Sequence, residues 1–384
     1  MSLKVLWITS AFPADTESAR YLYLWHSLEA LKQMGAEPVV LFTPAWKPLA
    51  AQSINDACFP VEINTHRYLS IPRHYFRSAS NVSYVSRIVP EIKKLNKQHQ
   101  FYVIHAHGEI SGLAAVKASQ ELNIPAVVTI HGIDMCSRVW SGFSGKMFRN
   151  MFNQANKIIF VGESLKNHFQ TMLDNNHHSC VVYNGVRLPE KSELTDHFLK
   201  GNAPIRIISV SNLHEGKGID LTLQALAKLK NKEINNWTYT IIGSGDQRTY
   251  LKSIAAQFDF GKQIEFIGDC SHQQVYAYLQ KADIFCLPSY REAFGIAYLE
   301  AMVNGLLTIG VKGQGPQAFI EHGKTGFLVE PEDVDSLTKT LHFAMTQYQE
   351  IQTIAYSGQQ YVQTNFTWEK HAEKLLSVYK EVYT

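Results

Sequence analysis

Short apolar runs rich in β-branched and aromatic residues alternate with helix-length amphipathic stretches along the whole chain. This alternation constrains the fold more than any other feature, because strand, helix and strand in succession form the βαβ unit of parallel sheets. In the first half, residues 4–9, 38–42, 102–105, 126–130, 157–161 and 180–183 read as strands, with helices over 19–34, 81–97, 111–122 and 163–173. The series then restarts, with strands over 205–210, 237–242, 264–267, 284–287, 307–311 and 326–329. Between the two series the segment from Pro189 to Pro204 is polar and aperiodic, and it reads as a hinge. At 384 residues the chain also exceeds what one hydrophobic core usually organises. The expected fold class is therefore α/β, with two doubly wound domains facing a cleft, since open sheets of this kind bind ligands at the carboxyl ends of their strands. One domain spans residues 1–190, completed by a C-terminal helix over 366–384, and the other spans 200–365.

Charge divides along the same line. Residues 1–190 carry 18 Lys and Arg against 13 Asp and Glu, and the remainder carries 18 against 21, so the net +2 is +5 in one half and −3 in the other. Much of the excess lies in 66–97, where Arg67, Arg73, Arg77, Arg87, Lys93, Lys94 and Lys97 face one acid, Glu91, with Tyr68, Tyr75, Phe76 and Tyr84 between them. Such a mixture suits an anionic membrane surface or another phosphate-rich partner, and equally a solvated basic face. No nucleic-acid partner is expected. The five cysteines are odd in number, scattered and without a Cys-x-x-Cys pair, which fits a reducing cytoplasm better than a disulfide framework or a zinc cage. The first residues read as a buried strand rather than a leader, and no run approaches the ~18 apolar residues of a membrane span. Any work at a membrane is expected to be peripheral, on the inner face of the plasma membrane.

The richest segment for chemistry runs from Leu287 to Gly305. A strand ends, a Pro-Ser turn follows and a helix starts near Gly295, so Glu292 precedes a helix N-terminus while Glu300 lies inside the helix. A carboxylate beside free backbone N–H groups accepts or orients hydroxyls, and the amides of Phe294, Gly295 and Ile296 favour an electronegative ligand. Spacing alone also fits two solvated acids at a helix start.

The pattern Ser289-x-x-Glu292-x-Phe294-Gly295-x-x-x-x-Glu300-Ala301-Met302-x-x-Gly305 resembles the E-x7-E signature of retaining glycosyltransferases of family 4, whose GT-B fold pairs two Rossmann-like domains. The resemblance implies that Glu292 contacts the donor sugar, Glu300 the nucleotide ribose, and the amides at 294–296 the sugar hydroxyls. The run from Ser209 to Asp220 is similar to the family's diphosphate-binding stretch. Lys217 there would neutralise the leaving diphosphate at a helix N-terminus. Asn212 stands where many members carry Arg, so the usual pair of cations is incomplete, and Arg291 is the candidate replacement. Thr129-Ile130-His131-Gly132-Ile133-Asp134 resembles the family's His-Gly motif, which puts His131 on the donor's sugar or phosphate. Gly243, Gly245 and Gly268 end two strands at positions that resemble nucleotide contacts, where glycine lets backbone approach a base or phosphate. The first loop departs from the family's usual Gly-Gly, reading Phe12 to Arg20, so Thr16 and Arg20 are candidate side-chain substitutes. The likeness covers nearly all of the chain and is strongest over about 205–335.

Other patterns imitate different chemistries. Gly323-Lys324-Thr325 has the tail of a phosphate loop but Ala318 at the required first glycine. Asp333-Val334-Asp335 has the spacing of a metal-binding pair and reads as a helix cap. His105-x-His107 shares one strand face without a third zinc ligand in view, so no metal is expected. The resemblance thus implies a retaining, metal-independent hexosyltransferase without a separate cofactor, whose co-substrate is a nucleoside diphosphate sugar, UDP in preference. The acceptor would be a glycan or lipid-linked oligosaccharide of envelope polysaccharide synthesis, bound by the first domain, with the donor bound by the second. Two other classes stay open: a sugar-nucleotide epimerase of similar architecture, and a catalytically silent nucleotide-sugar binder.

Overall fold

The computed structural model describes residues 3–18, 20–46, 54–69, 73–132, 142–170, 178–189 and 203–383, with the side chains of 73–77 excepted. Most of the expected hinge, residues 190–202, lies outside them, as do Cys136, His177 and the Ile133-Asp134 end of the His-Gly motif. The chain divides into two compact units, one running to Asn184 and resuming at Trp368, the other running from Gly185 to Thr367.

In the first unit the elements run β1 (Leu3–Thr9), α1 (Leu22–Gln33), β2 (Ala36–Phe42), β3 (Ala45–Trp46), β4 (Glu62–Thr65), β5 (Tyr68–Leu69), α2 (Arg73–His99), β6 (Val103–His107), α3 (Glu109–Leu122), β7 (Ala126–Ile130), α4 (Gly142–Gln154), β8 (Lys157–Phe160), α5 (Glu163–Phe169) and β9 (Ser179–Val181). Among the described residues they form a parallel seven-stranded sheet in the order β4-β2-β1-β6-β7-β8-β9, with β3 and β5 pairing separately. Strands β6 and β7 are buried at every position, as expected where helices cover both faces. The order reverses between β1 and β6, so the crevice at their carboxyl ends is the place where such a sheet takes a ligand.

The second unit runs β10 (Ile205–Val210), α6 (Ile219–Lys230), β11 (Trp237–Ile242), α7 (Arg248–Gln257), β12 (Ile264–Gly268), α8 (His272–Leu279), β13 (Ile284–Cys286), α9 (Ile296–Val303), β14 (Leu307–Val311), β15 (Phe327–Val329), α10 (Val334–Thr346) and α11 (Tyr348–Asn365). Its parallel sheet has the order β12-β11-β10-β13-β14-β15 among the described residues, reversing between β10 and β13. Arg206 and the buried Asp283 lock that central pair through three hydrogen bonds of 2.7–3.0 Å. Asp333 caps α10, its Oδ1 accepting from the amides of Asp335 and Ser336, so the acidic pair is spent on a helix start.

The last helix, α12 (Trp368–Tyr383), belongs to the first unit. Its Trp368, Ala372, Leu375, Val378 and Tyr379 join Trp7, Trp25 and Leu28 in one buried cluster. Each large apolar side chain buried there contributes about 1.5–3 kcal/mol. The Trp7 indole N–H donates to the Tyr379 hydroxyl across 372 positions of sequence at 3.2 Å.

One expectation is corrected in this unit. Tyr68 and Tyr84, read as aromatics among surface cations, are core residues at 2% and 0% exposure, with Tyr84 bonded to Thr43 at 2.8 Å. Sequence order interleaves them with basic residues, but helical and strand periodicity turns them inward. Lys93 pairs with Glu121, and Lys94 with Glu91 at 3.7 Å. The side chains of Arg73, Tyr75, Phe76 and Arg77 lie outside the described residues. Among the described residues no helix is long and apolar enough to cross a membrane.

Candidate functional site

In the second unit the loops after β10 and β13, the strands that flank the reversal, are tied together. The Tyr290 amide and the Ser289 hydroxyl both donate to the Gly216 carbonyl, at 2.9 and 3.2 Å. Gly218 makes this approach possible: its φ is +71°, and a Cβ there would lie 2.2 Å from the Pro288 carbonyl oxygen. Beyond these ties, the Lys217 ammonium donates to Glu292 Oε2 at 3.0 Å, with side chains 23% and 14% exposed. Two residues assigned separate tasks from sequence are thus one ion pair. A third loop fixes the carboxylate's backbone: the Glu292 amide donates to Gln314 Oε1 at 3.1 Å, and its carbonyl accepts from the Gly315 amide at 2.9 Å.

Helices α6 and α9 begin beside this pair, at Gly218 and Gly295. Helix N-termini carry partial positive charge on amides left without i−4 partners, and although the Tyr298 amide bonds the Gly295 carbonyl at 3.1 Å, the two helix starts with Lys217 form a surface suited to an anion. Phe294 is buried, while Gly295 and Ile296 are partly accessible. Arg291 is exposed, and its aliphatic stem lies over Gly216. Asn212 is exposed on the same loop as Lys217.

Glu300, one helix turn and more into α9, is bonded to His272 Nε2 at 2.8 Å. His272 had no signal in a reading by motif, because the two residues meet only when α8 packs beside α9. The two glycines in the turn after β11 make room for protein backbone. A Cβ at Gly243, where φ is +125°, would sit 1.9 Å from the Ser211 carbonyl oxygen, and one at Gly245 would sit 2.2 Å from that of Leu213. The approach they permit is that of the protein's own neighbouring loop. Gly268 has φ +95° and no such obstruction; the nearest atom to its missing Cβ is an Arg248 guanidinium nitrogen at 3.9 Å.

In the first unit, the carboxyl ends of β6, which borders the reversal, and of its neighbour β7 carry histidines. His107 Nδ1 and His131 Nε2 share a hydrogen bond of 2.9 Å, and the Tyr23 ring lies 5.0 Å from that of His131. His105 bonds the Tyr379 hydroxyl at 2.6 Å and the Thr129 hydroxyl at 2.7 Å. The Trp7 indole only donates, so the Tyr379 oxygen accepts from it and its O–H donates a hydrogen bond to His105 Nδ1. His105 is then the neutral tautomer with hydrogen on Nε2, donating to Thr129. On α12, His371 Nε2 meets the Ser27 hydroxyl at 2.7 Å and Nδ1 donates to the Tyr183 carbonyl at 2.6 Å. Burial and the neighbouring imidazoles hold His105 and His107 well below the usual histidine range. Burial lowers His131 to about 3, with His371 adding to it, and lowers His371 to about 4. These rings are neutral hydrogen-bonding groups at neutral pH. Among the described residues no group of three His, Cys, Asp or Glu side chains is arranged to hold a metal ion. Thr16 and Arg20 are exposed in the loop after β1, and Thr16 has no described contact with the histidines.

Comparison with known proteins adds to this geometry. The family model for Glycosyl transferases group 1 matches residues 191–361, and that for Glycosyltransferase Family 4 matches residues 22–189. A putative colanic acid biosynthesis glycosyltransferase, WcaL of Salmonella typhimurium, is 25% identical over 291 residues, 73% of this chain and 70% of that one. The solved sucrose-phosphate synthase of Thermosynechococcus elongatus superposes with a TM-score of 0.78 at 18% identity, covering 99% of both chains. Anabaena HepE, solved in complex with UDP and glucose, superposes with a TM-score of 0.75 at 17% identity, covering 99% of this chain and 100% of that one. All of these structural neighbours share the fold.

Proposed function

The chain belongs to the family 4 glycosyltransferases, with one family model on each half, and on that premise we propose that it is a retaining hexosyltransferase using a nucleoside diphosphate sugar, with UDP as the nucleotide. The observation that carries the reading is the Lys217–Glu292 pair at the β10–β13 reversal, flanked by two helix N-termini. In the reaction, the bond between the sugar's anomeric carbon and the diphosphate oxygen breaks. The acceptor hydroxyl oxygen bonds that carbon from the same face, and its proton passes to the departing phosphate oxygen. Charge develops on the diphosphate, and Lys217 with the first-turn amides of α6 and α9 stabilises it without a metal; removing one such group commonly costs about 10²-fold in rate. Glu292 orients the sugar hydroxyls, Glu300 holds the ribose, and neutral His131 hydrogen-bonds the donor.

The choice of UDP is supported by the HepE complex with UDP and glucose, and that of an envelope glycan or lipid-linked acceptor by the colanic acid assignment of WcaL. The acceptor is assigned to the first unit. Exposed Arg87 and Lys97 support contact with an anionic membrane surface, and sedimentation with liposomes of graded anionic content tests it.

The test of function is a panel of UDP-, GDP- and ADP-sugars, read by thermal shift and by nucleoside diphosphate release with and without glycan acceptors. A ligand in hundredfold excess over its dissociation constant stabilises by about 2.7 kcal/mol. Donor conversion without acceptor would indicate an epimerase, and binding without release a silent binder. Full transfer by folded Lys217→Ala or Glu292→Ala protein overturns the roles given to that pair.

A further inference from the structure

His272 is outside every motif, yet it is the hydrogen-bond partner of the Glu300 carboxylate among the described residues. Its Nε2 lies 2.8 Å from Glu300 Oε1, with side chains 22% and 13% exposed. The ring is held from its own side as well. Ser271 caps α8 in a reciprocal box, its hydroxyl accepting from the Gln274 amide at 3.3 Å while Gln274 Oε1 accepts from the Ser271 amide at 2.9 Å. His272 is thus the first residue of a pinned helix, and Tyr276, one turn on, lies 5.0 Å from its imidazole.

A carboxylate oxygen only accepts, so the bond to Glu300 is made by Nε2–H donating. It uses one carboxylate oxygen. Oε2 carries no hydrogen bond among the described residues and is left for a ligand. A glutamate side chain has three rotatable bonds and loses much rotamer freedom when it fixes a ligand, and an anchored donor reduces that loss on binding.

We infer that His272 is a positioning residue for the nucleotide ribose, holding Glu300 Oε1 so that Oε2 is aimed at the ribose hydroxyls. The inference deepens the proposed function and rests on the ribose contact assigned there to Glu300. It makes His272 act on nucleotide affinity through the hydroxyls alone, with no part in bond breaking.

The experiment compares UDP with 2′,3′-dideoxy-UDP, and GDP with its dideoxy form in parallel, by calorimetry on the full chain. The unsubstituted protein is expected to prefer the ribose form by about tenfold or more, the worth of a hydrogen bond to a charged group. His272→Leu removes most of that preference by weakening the ribose nucleotide alone. His272→Gln, whose amide donates in place of Nε2–H, retains most of it. His272→Asn, too short to reach, loses it and serves if the leucine variant does not fold. A merely structural role weakens both nucleotides alike and leaves their ratio at the unsubstituted value, which overturns the inference while the reading of Glu300 stands. Equal binding of ribose and dideoxy forms by the unsubstituted protein, with either base, overturns both.

Discussion

Acid should unfold the first unit through its histidines. His105, His107, His131 and His371 all lie in that unit with their ionisation suppressed by burial, His131 to about 3 and His371 to about 4. In the unfolded chain each titrates near 6.5. Below that pH the unfolded state binds more protons than the folded one, so stability is present in full above about pH 7 and is lost as pH falls. Between pH 7 and pH 5 each histidine that stays neutral when folded removes about 2 kcal/mol. His105 and His107, at 1% and 7% exposure, are the firmest members, and together they remove about 4 kcal/mol. All four remove about 8 kcal/mol, comparable with the whole 5–15 kcal/mol stability of a typical domain. Five of the six tryptophans lie in the first unit and one, Trp237, in the second. Urea unfolding followed by tryptophan fluorescence at pH 7.5, 6 and 5 therefore reports mainly on the first unit. His371→Gln should reduce the pH slope by about a quarter, one proton in four. Stability unchanged between pH 7.5 and 5, or imidazole resonances of His105 and His107 titrating near 6.5, would refute the reasoning.

Three further outcomes concern the second unit. Glu292→Gln frees Lys217 from its ion pair and removes a carboxylate from beside the incoming phosphates, so calorimetry should give UDP binding about tenfold tighter while transfer falls about 10²-fold. Parallel loss of binding and transfer would sink the separation of roles. Gly243→Ala would place a Cβ 1.9 Å from a backbone oxygen at φ +125° and should cost about 2–4 kcal/mol in urea unfolding. Gly313→Ala has φ +73° but open space around it, and should cost only about 1 kcal/mol.

Where period and burial agreed, the fold was legible. The strands over 126–130, 205–210, 237–242 and 307–311 have those same bounds in the structure: β7 and β14 are apolar runs buried at every position, and β10 and β11 are mostly buried runs with two half-buried positions each, so their phase is unambiguous. Strands β3, β4 and β5 were missed: they are two to four residues long, and β4 sits at the sheet edge with the exposed and half-buried pattern of a solvated strand. Helix α2 starts at Arg73 rather than 81, since residues 73–80 mix basic, aromatic and small side chains with no apolar period to read.

The candidate site was legible as positions but not as pairs. Lys217 and Glu292 are 75 residues apart, His272 and Glu300 28, and His107 and His131 24. The first and last of these pairs form because neighbouring strands end level with each other, and the second because α8 packs beside α9; strand order and helix packing are properties of topology that local spacing does not encode. The parallel register that sets His107 opposite Thr129 is what brings His131 within reach. The glycines show the converse limit, since a residue without a side chain looks the same whether it makes room for a ligand or for a loop.

The return of α12 to the first unit has a consequence for biosynthesis. A ribosome releases the chain from its amino end, so the second unit has all of its sequence before Trp368 is made, while the first still lacks the helix that carries Tyr379 and His371. The amino-terminal unit is therefore the last to finish folding. A nonsense codon or proteolytic cut near residue 367 would leave the carboxyl-terminal unit whole and strip the partner from Trp7, so the damage from losing the end of this chain falls at its beginning.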